Sequence, residues 1–127
     1  MELLYKLNAE ICRQEYIREK PSDTACSQIL RYMKDNLEKT ITLEMLAATV
    51  HLDKSYLVRL FRSTYGITPI KMLIRLRMER ACDLIANTDM PIADIATACG
   101  YASPSYFTGE YKKHFGTTPL KHRIPKL

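Results

Sequence analysis

Two stretches of this sequence match each other. They are residues 43–71, LEMLAATVHLDKSYLVRLFRSTYGITPIK, and residues 92–121, IADIATACGYASPSYFTGEYKKHFGTTPLK. A shift of 49 aligns the helical apolar positions at the start, and a shift of 50 aligns everything from Ser55 onward. The shared positions include a Ser-Tyr pair, an aromatic residue followed by Gly, and a Thr-Pro pair with a lysine two residues after the proline. Because so many apolar, glycine and Thr-Pro positions recur in one order, we interpret the chain as an internal duplication.

Local signals divide the first copy into helices. Thr42 is typical of a helix N-cap, and Leu43, Leu46, Ala47 and Val50 follow at helical spacing. Asp53 can cap a second helix running from about residue 54 to 65, which Gly66 would end in the left-handed conformation. Two helices joined by such a short break predict a helix-turn-helix unit.

The second copy repeats these signals for helix starts and ends. Pro91 opens a short helix that ends near Gly100, and Ser103-Pro104 starts another, which closes at Gly116. Thr118-Pro119 starts a last, short helix. A second helix-turn-helix unit is therefore predicted.

One long helix is predicted between the copies, over residues 69–87. Its main apolar positions are Leu73, Leu76, Met78, Ala81, Leu84 and Ile85. At 1.5 Å per residue, about 18 residues extend roughly 27 Å. A rigid spacer of this size can hold two helices near one DNA turn apart, about 34 Å. Upstream, Ile29, Tyr32, Met33 and Leu37 predict a further helix that covers the first unit.

The basic residues are concentrated in one segment. Residues 54–80 contain Lys54, Arg59, Arg62, Lys71, Arg75, Arg77 and Arg80 against a single acid, Glu79. A solvated helix face explains such a run, and so does a surface that attracts nucleic-acid phosphates. The charge pattern alone leaves both explanations open.

Composition excludes several classes of protein. No apolar run approaches the roughly 18 residues of a membrane span, and no signal peptide begins the chain, so we expect a cytoplasmic protein. Cys12, Cys26, Cys82 and Cys99 are scattered, which favours reduced structural cysteines over a metal site. No nucleophile–base pair and no phosphate-binding glycine loop occur, so we predict no enzymatic activity, no metal and no cofactor.

The second copy also resembles a known family signature. The matching residues are Ile92-Ala93-Asp94-Ile95-Ala96, Cys99-Gly100-Tyr101, Ser105-Tyr106-Phe107, Tyr111-Lys112-Lys113, Phe115-Gly116 and Thr118-Pro119 to Arg123. They are similar to those of the AraC/XylS transcription regulators, and the similarity extends over about residues 24–123. The resemblance implies a bacterial regulator that binds an asymmetric double-stranded DNA operator, with two recognition helices in successive major grooves.

The resemblance also implies roles for individual residues. Base-contacting positions would be Lys54, Ser55, Val58 and Arg59 in the first recognition helix, and Pro104, Ser105 and Thr108 in the second. Phosphate-contacting positions would be Arg62, Arg75, Lys112 and Lys113. Arg59 is the strongest candidate for reading a base, because a guanidinium can bond guanine O6 and N7 together. For Arg75, a structural ion pair fits the sequence equally well.

Two residues depart from the pattern. Gly109 stands where the first copy has Arg59, so the second unit is expected to anchor the protein more than it discriminates sequence. His51 replaces the turn glycine seen as Gly100, and histidine tolerates a positive φ better than most residues.

Structural roles are the simpler interpretation for other residues. An aromatic ladder with helical spacing predicts core packing; it comprises Tyr56, Phe61, Tyr65, Tyr106, Phe107, Tyr111 and Phe115. Arg77 and Arg80 are candidates for structural ion pairs, and His114 and His122 for surface residues.

The expected fold is all-α, with two homeodomain-like helix-turn-helix subdomains, a linker helix, and about seven helices plus an N-terminal helix. The predicted divisions are 1–21, 22–68, 69–88 and 89–127. Leu3, Leu4, Leu7 and Ile11 form an apolar stripe, which favours attachment of 1–21 to a preceding sensory or dimerisation domain. RNA polymerase is a further possible partner. A protein-interaction module that uses this geometry without DNA is the alternative function.

Overall fold

A computed structural model describes residues 21–123 of the chain. This part contains seven α-helices and no strand, as the sequence pattern predicts. The helices are α1 Pro21–Asp35, α2 Leu43–Thr49, α3 Lys54–Tyr65, α4 Pro69–Asn87, α5 Ile92–Ala98, α6 Pro104–Phe115 and α7 Pro119–His122. The apolar stripe at residues 3–11, and Cys12, lie outside the described residues. Within those residues, no helix combines the length and apolar character needed to cross a membrane.

Side-chain caps start the helices at the predicted positions. Thr42 Oγ1 accepts the Met45 N–H at 3.2 Å, and Asp53 accepts the Ser55 N–H at 3.0 Å. Ser103 performs the same role for α6 and accepts the Tyr106 N–H at 3.3 Å. Each cap satisfies a donor that the first helical turn leaves unpaired. The N-caps predicted from sequence at Thr42 and Asp53 are therefore confirmed.

The first core lies beneath α1, α2 and α3. Its buried residues are Cys26, Ile29, Met33, Leu37, Ile41, Leu46, Ala47, Leu57, Phe61 and Leu73. The predicted upstream helix α1 packs on α3 and on α4, so it covers the first helix-turn-helix unit. Leu57 and Phe61 are fully buried, which fixes the face of α3 that turns inward.

The second core lies between the later part of α4 and helices α5 and α6. It consists of Met78, Ala81, Ile85, Ile95, Ala96, Cys99, Tyr101, Phe107 and Tyr111. The linker helix thus supplies Leu73 to one core and Met78, Ala81 and Ile85 to the other. Its 19 residues extend roughly 28 Å. Because both cores share one helix, α4 sets the distance between the two units.

Both turns contain a residue with positive φ. His51 has φ 57° and Gly100 has φ 87°. The turn of the first unit therefore accommodates histidine, as the sequence comparison of the two copies predicts. A Cβ on Gly100 would lie 2.3 Å from the Leu37 carbonyl oxygen, so this turn has no space for a side chain. The second unit therefore requires glycine for space as well as for conformation.

Arg123 closes the carboxyl end of the linker helix. Its guanidinium donates to the carbonyls of Leu84, Ile85, Thr88 and Met90, which include acceptors that the last turn of α4 leaves unpaired. Arg123 follows α7, so one side chain ties the last described segment to α4. The residue that ends the matched signature is therefore structural.

Replacing Arg123 with methionine should lower the free energy of unfolding by about 2 kcal/mol, because hydrogen bonds to a charged donor are lost and half-buried carbonyls stay unpaired. Urea unfolding followed by circular dichroism measures the change. Lys121→Met is the matched control, since Lys121 is an exposed cation two residues away. It should change the same quantity by less than about 0.5 kcal/mol. Equal effects of the two variants would contradict the capping role.

No disulfide joins the three described cysteines to one another, and Cys26 Sγ donates to Thr64 Oγ1 at 3.6 Å. Cys26 and Cys99 are buried and Cys82 is half-buried. Burial raises the pKa of the Cys99 thiol to about 11, so this thiol is protonated near neutral pH. Among the described residues, no group of His, Cys, Asp and Glu side chains could hold a metal ion.

Candidate nucleic-acid interface

Helix α3 presents one polar face to solvent. Because Leu57 and Phe61 face the core, the opposite face carries Ser55, Arg59 and Arg62, all exposed. Lys54 is exposed as the first residue of the helix. Val58 is half-buried at the border of this face. Three of the four positions predicted to contact bases are thus accessible to a ligand, and the fourth is partly so.

Lys54 is already engaged in an ion pair. Its Nζ lies 3.0 Å from Oε1 of Glu44, an acid in the first turn of α2. The hydrogen bond from Lys54 lowers the pKa of Glu44. This pair joins the first turns of the two helices of the unit, so Lys54 must leave or share Glu44 before it can bind DNA.

Arg59 and Arg62 are available without such an exchange. Neither guanidinium has a hydrogen-bond or ion-pair partner within residues 21–123. The two lie three residues apart on the exposed face of α3, which places them side by side. A free guanidinium pair on a solvent-facing helix suits the recognition of anions and of guanine edges.

Helix α6 presents the equivalent face in the second unit. Phe107 and Tyr111 are fully buried, and the outer face carries Pro104, Ser105, Lys112 and Lys113. Thr108 is half-buried. All seven predicted base-contacting positions therefore lie on two helices related by the sequence repeat.

Gly109 does not interrupt α6. The helix continues through it to Phe115, and a Cβ at this position would meet nothing within 4 Å. The surface that carries Arg59 in α3 is thus bare in α6, and the space beside it is open. The structure provides no other side chain at the position of Arg59.

Two members of the aromatic ladder are exposed, which corrects the prediction of core packing. Tyr56 is 46% exposed and Tyr106 is 64% exposed. Phe61, Phe107 and Tyr111 are fully buried, as predicted. Tyr65 and Phe115 are half-buried.

The helical register explains this error. Leu57 and Phe61 face the core, and Tyr56 lies one residue, about 100°, to the side of that stripe. It shares the face of Arg59, three residues later. Tyr106 occupies the equivalent place in α6, on the face of Gly109 and Lys113. Assigning each aromatic to a face, rather than reading the ladder as a whole, would have found both tyrosines.

The basic run of residues 54–80 divides into two sets. Arg80 pairs with Glu38 at 3.6 Å, as predicted for a structural ion pair, whereas Arg77 bonds backbone carbonyls rather than an acid. Lys71 and Arg75 are exposed on α4 and form no ion pair within the part of the chain described. Within this run, the exposed cations without an ion-pair partner among the described residues are therefore Arg59, Arg62, Lys71 and Arg75.

His122, predicted at the surface, is exposed but not isolated. Its Nδ1 lies 2.5 Å from the Tyr111 hydroxyl, a contact that ties α7 to α6. Burial raises the pKa of the Tyr111 phenol well above its ordinary value, so the hydroxyl is protonated near neutral pH. His114 is exposed on α6.

Two helix-turn-helix units, each with exposed cations on its second helix, are the architecture of a helix-turn-helix DNA-binding protein. The comparisons with known proteins identify the family. Residues 46–123 match the family model described as "Helix-turn-helix domain". The chain belongs to the AraC/XylS-type helix-turn-helix family.

Individual relatives agree with this assignment. The chain is 34% identical over 96 residues to the HTH-type transcriptional regulator GbdR of Pseudomonas aeruginosa, covering 76% of this chain and 26% of that protein. An AraC-type regulator structure from Chromobacterium violaceum matches with TM-score 0.73 and 31% identity, covering 80% and 91% of the two chains. The DNA-binding domain of AdpA in complex with a target DNA matches with TM-score 0.74 and 26% identity, covering 77% and 88%.

Proposed function

We propose that this chain binds double-stranded DNA in a sequence-specific manner to regulate transcription, with α3 and α6 entering successive major grooves of an asymmetric site. One observation carries the proposal. Two helices related by the sequence repeat bury the same face, and five of the seven base-contacting positions named from the sequence are exposed on them, the other two being half-buried. An α-helix fits the major groove, where each base pair presents a distinct pattern of donors and acceptors.

The two units contribute unequally to the recognition of the DNA sequence. In the first, Arg59 reads a base, and Ser55 and Val58 lie beside it, with Lys54 joining after it leaves Glu44. In the second, Pro104, Ser105 and Thr108 approach the bases without any long side chain at Gly109. The second unit accordingly contributes more affinity than discrimination.

Phosphate contacts come from cations around the two helices. Arg62 and Arg75 serve the first unit, and Lys112 and Lys113 serve the second. Lys71 joins this set, because it is exposed in the first turn of α4 and has no ion-pair partner among the described residues. Such contacts fix the orientation of the protein on the duplex and carry no sequence information.

The wider role is also a proposal. The chain spans about a quarter of the length of GbdR, a regulator it resembles. We infer that the DNA-binding unit operates in the cytoplasm beside an effector-binding half, with residues 1–21 as the connection, and that RNA polymerase is a partner. The division at 22–68, 69–88 and 89–127 is supported by the two cores that share α4.

Titration of a mixed-sequence duplex at several salt concentrations tests DNA binding. With five phosphate-contacting cations, the logarithm of the binding constant should fall against that of the salt concentration with a slope of about −4.5. Fluorescence anisotropy gives the constant. Absence of salt-dependent binding would instead favour the protein-interaction module.

A further prediction concerns Tyr106. Its ring packs against Tyr101 at 5.9 Å between centroids, and the residue is 64% exposed in the first turn of α6. We expect its hydroxyl to donate to a phosphate. Tyr106→Phe should therefore weaken binding to target and random duplexes alike by about 1 kcal/mol, roughly fivefold. An effect confined to the target duplex would contradict the phosphate contact.

A further inference from the structure

The turn of the second unit touches the first unit directly. Gly100 lies so close to the Leu37 carbonyl oxygen that even a Cβ would overlap it, at 2.3 Å. Leu37 belongs to the first core, and Gly100 joins α5 to α6. The two units are thus in contact beside the linker helix as well as connected through it.

Arg77 fastens this contact. Its Nε donates to the Leu37 carbonyl at 3.2 Å, and its Nη2 donates to the Lys39 carbonyl at 2.8 Å. The same guanidinium lies 5.8 Å from the centroid of the Tyr101 ring, next to Gly100. One planar group on α4 therefore binds the segment after α1 and the turn before α6 together.

The contact made by the Arg77 guanidinium is half-buried and is not a surface ion pair. Tyr101 is 8% exposed, and Leu37 is 6% exposed. Hydrogen bonds to a charged donor in such surroundings are stronger than those at the surface. Nearby, the more exposed Arg80–Glu38 pair joins α4 to the segment after α1 and contributes less.

We propose that Arg77 is a positioning residue that locks the two recognition helices at one separation and one rotation, so that the protein accepts a single spacing between its two DNA blocks. This inference rests on the proposed function. Both units pack on α4, but a long helix can bend, so α4 alone fixes their separation and rotation less tightly. The Arg77 contact fixes both more tightly by joining the units at a second point.

Binding to operators with altered spacing tests whether Arg77 fixes the separation of the two recognition helices. The probes are a duplex selected by the protein and the same duplex with one, two or three base pairs inserted between its two blocks. Each inserted pair moves the second block by about 3.4 Å and rotates it by roughly 34°. For the natural chain, one insertion should weaken binding about tenfold or more, because a rigid protein loses contacts at one block.

Arg77→Met removes the guanidinium and keeps an unbranched side chain. The loss of affinity caused by one inserted base pair should fall to about threefold or less in this variant. The variant should also bind the unaltered duplex more weakly, because its two more mobile units must be ordered on binding. The ratio between duplexes is compared within each variant, so any loss of folded protein cancels. Arg31→Met is the matched control: Arg31 is exposed on α1 and has no ion-pair partner among the described residues. It should keep the full penalty.

An Arg77→Met penalty equal to that of the natural chain would overturn the inference. Tolerance of insertions by the natural chain would overturn it as well. If Arg77→Met does not fold, Arg77→Lys decides by the same comparison, because lysine keeps the charge but cannot bond both carbonyls with one planar fork.

Calorimetry of the free protein tests the contact without DNA. The natural chain should unfold in one transition, and Arg77→Met in two, because the hydrogen bonds that couple the two cores beside α4 are then lost. A single unchanged transition in Arg77→Met would count against the coupling of the two units by Arg77. If no two-block duplex can be selected, the proposed function fails, whereas the calorimetric result still decides whether Arg77 couples the units.

Discussion

Replacing Gly100 with alanine should lower the free energy of unfolding by at least about 3 kcal/mol. Two penalties combine at this residue. Its φ of 87° is unfavourable for any residue with a side chain, by roughly 1–2 kcal/mol. The added Cβ would also lie 2.3 Å from the Leu37 carbonyl oxygen and 2.9 Å from the Arg77 guanidinium carbon.

Relief of this overlap requires movement of the backbone. The Leu37 carbonyl accepts a hydrogen bond from Arg77, so displacing it separates the two units. Gly66→Ala provides the control, since Gly66 has φ 81° and nothing within 4 Å of an added Cβ. It should cost only about 1 kcal/mol. Chemical denaturation of both variants measures the difference, and equal losses would show that Gly100 matters for its conformation alone.

Arg59→Ala should weaken binding to the target duplex by about 1–3 kcal/mol and relax preference at one base position. Its guanidinium is exposed and has no partner within residues 21–123, so nothing in the free protein competes with a guanine. Binding to random duplex should change much less. Anisotropy titrations with target and random duplexes separate these effects.

Lys112→Ala is the matched control for Arg59→Ala. Lys112 is exposed in the last turn of α6 and is expected to contact phosphate. Its loss should weaken target and random duplexes alike and make the salt slope shallower by about 1. If Arg59→Ala behaved in the same way, Arg59 would be a phosphate contact and the assignment of base reading would be wrong.

The helices and their ends were predictable because their signals are local. Thr42 and Asp53 cap helices within three residues of themselves, and Pro69 and Gly66 follow equally short rules. The repeat then required the two units to be alike. Exposure of the predicted DNA-contacting positions followed from the register of Leu57 and Phe61.

The contacts that join distant segments were not predictable in the same way. Arg77 bonds carbonyls 40 and 38 residues away, and Arg123 bonds carbonyls 33 to 39 residues away. Every residue has a backbone carbonyl, so the residue types do not indicate which carbonyls Arg77 and Arg123 bond. The pairing of Lys54 with Glu44 depends on how α2 meets α3, which the repeat does not specify.

Selection of bound sequences from a pool of random duplexes tests whether both recognition helices read one DNA site. We expect one long asymmetric motif with two preferred blocks about one helical turn apart, the stronger block being lost with Arg59→Ala. A single short block, or a pool that shows no enrichment, would contradict the claim that both recognition helices read one duplex.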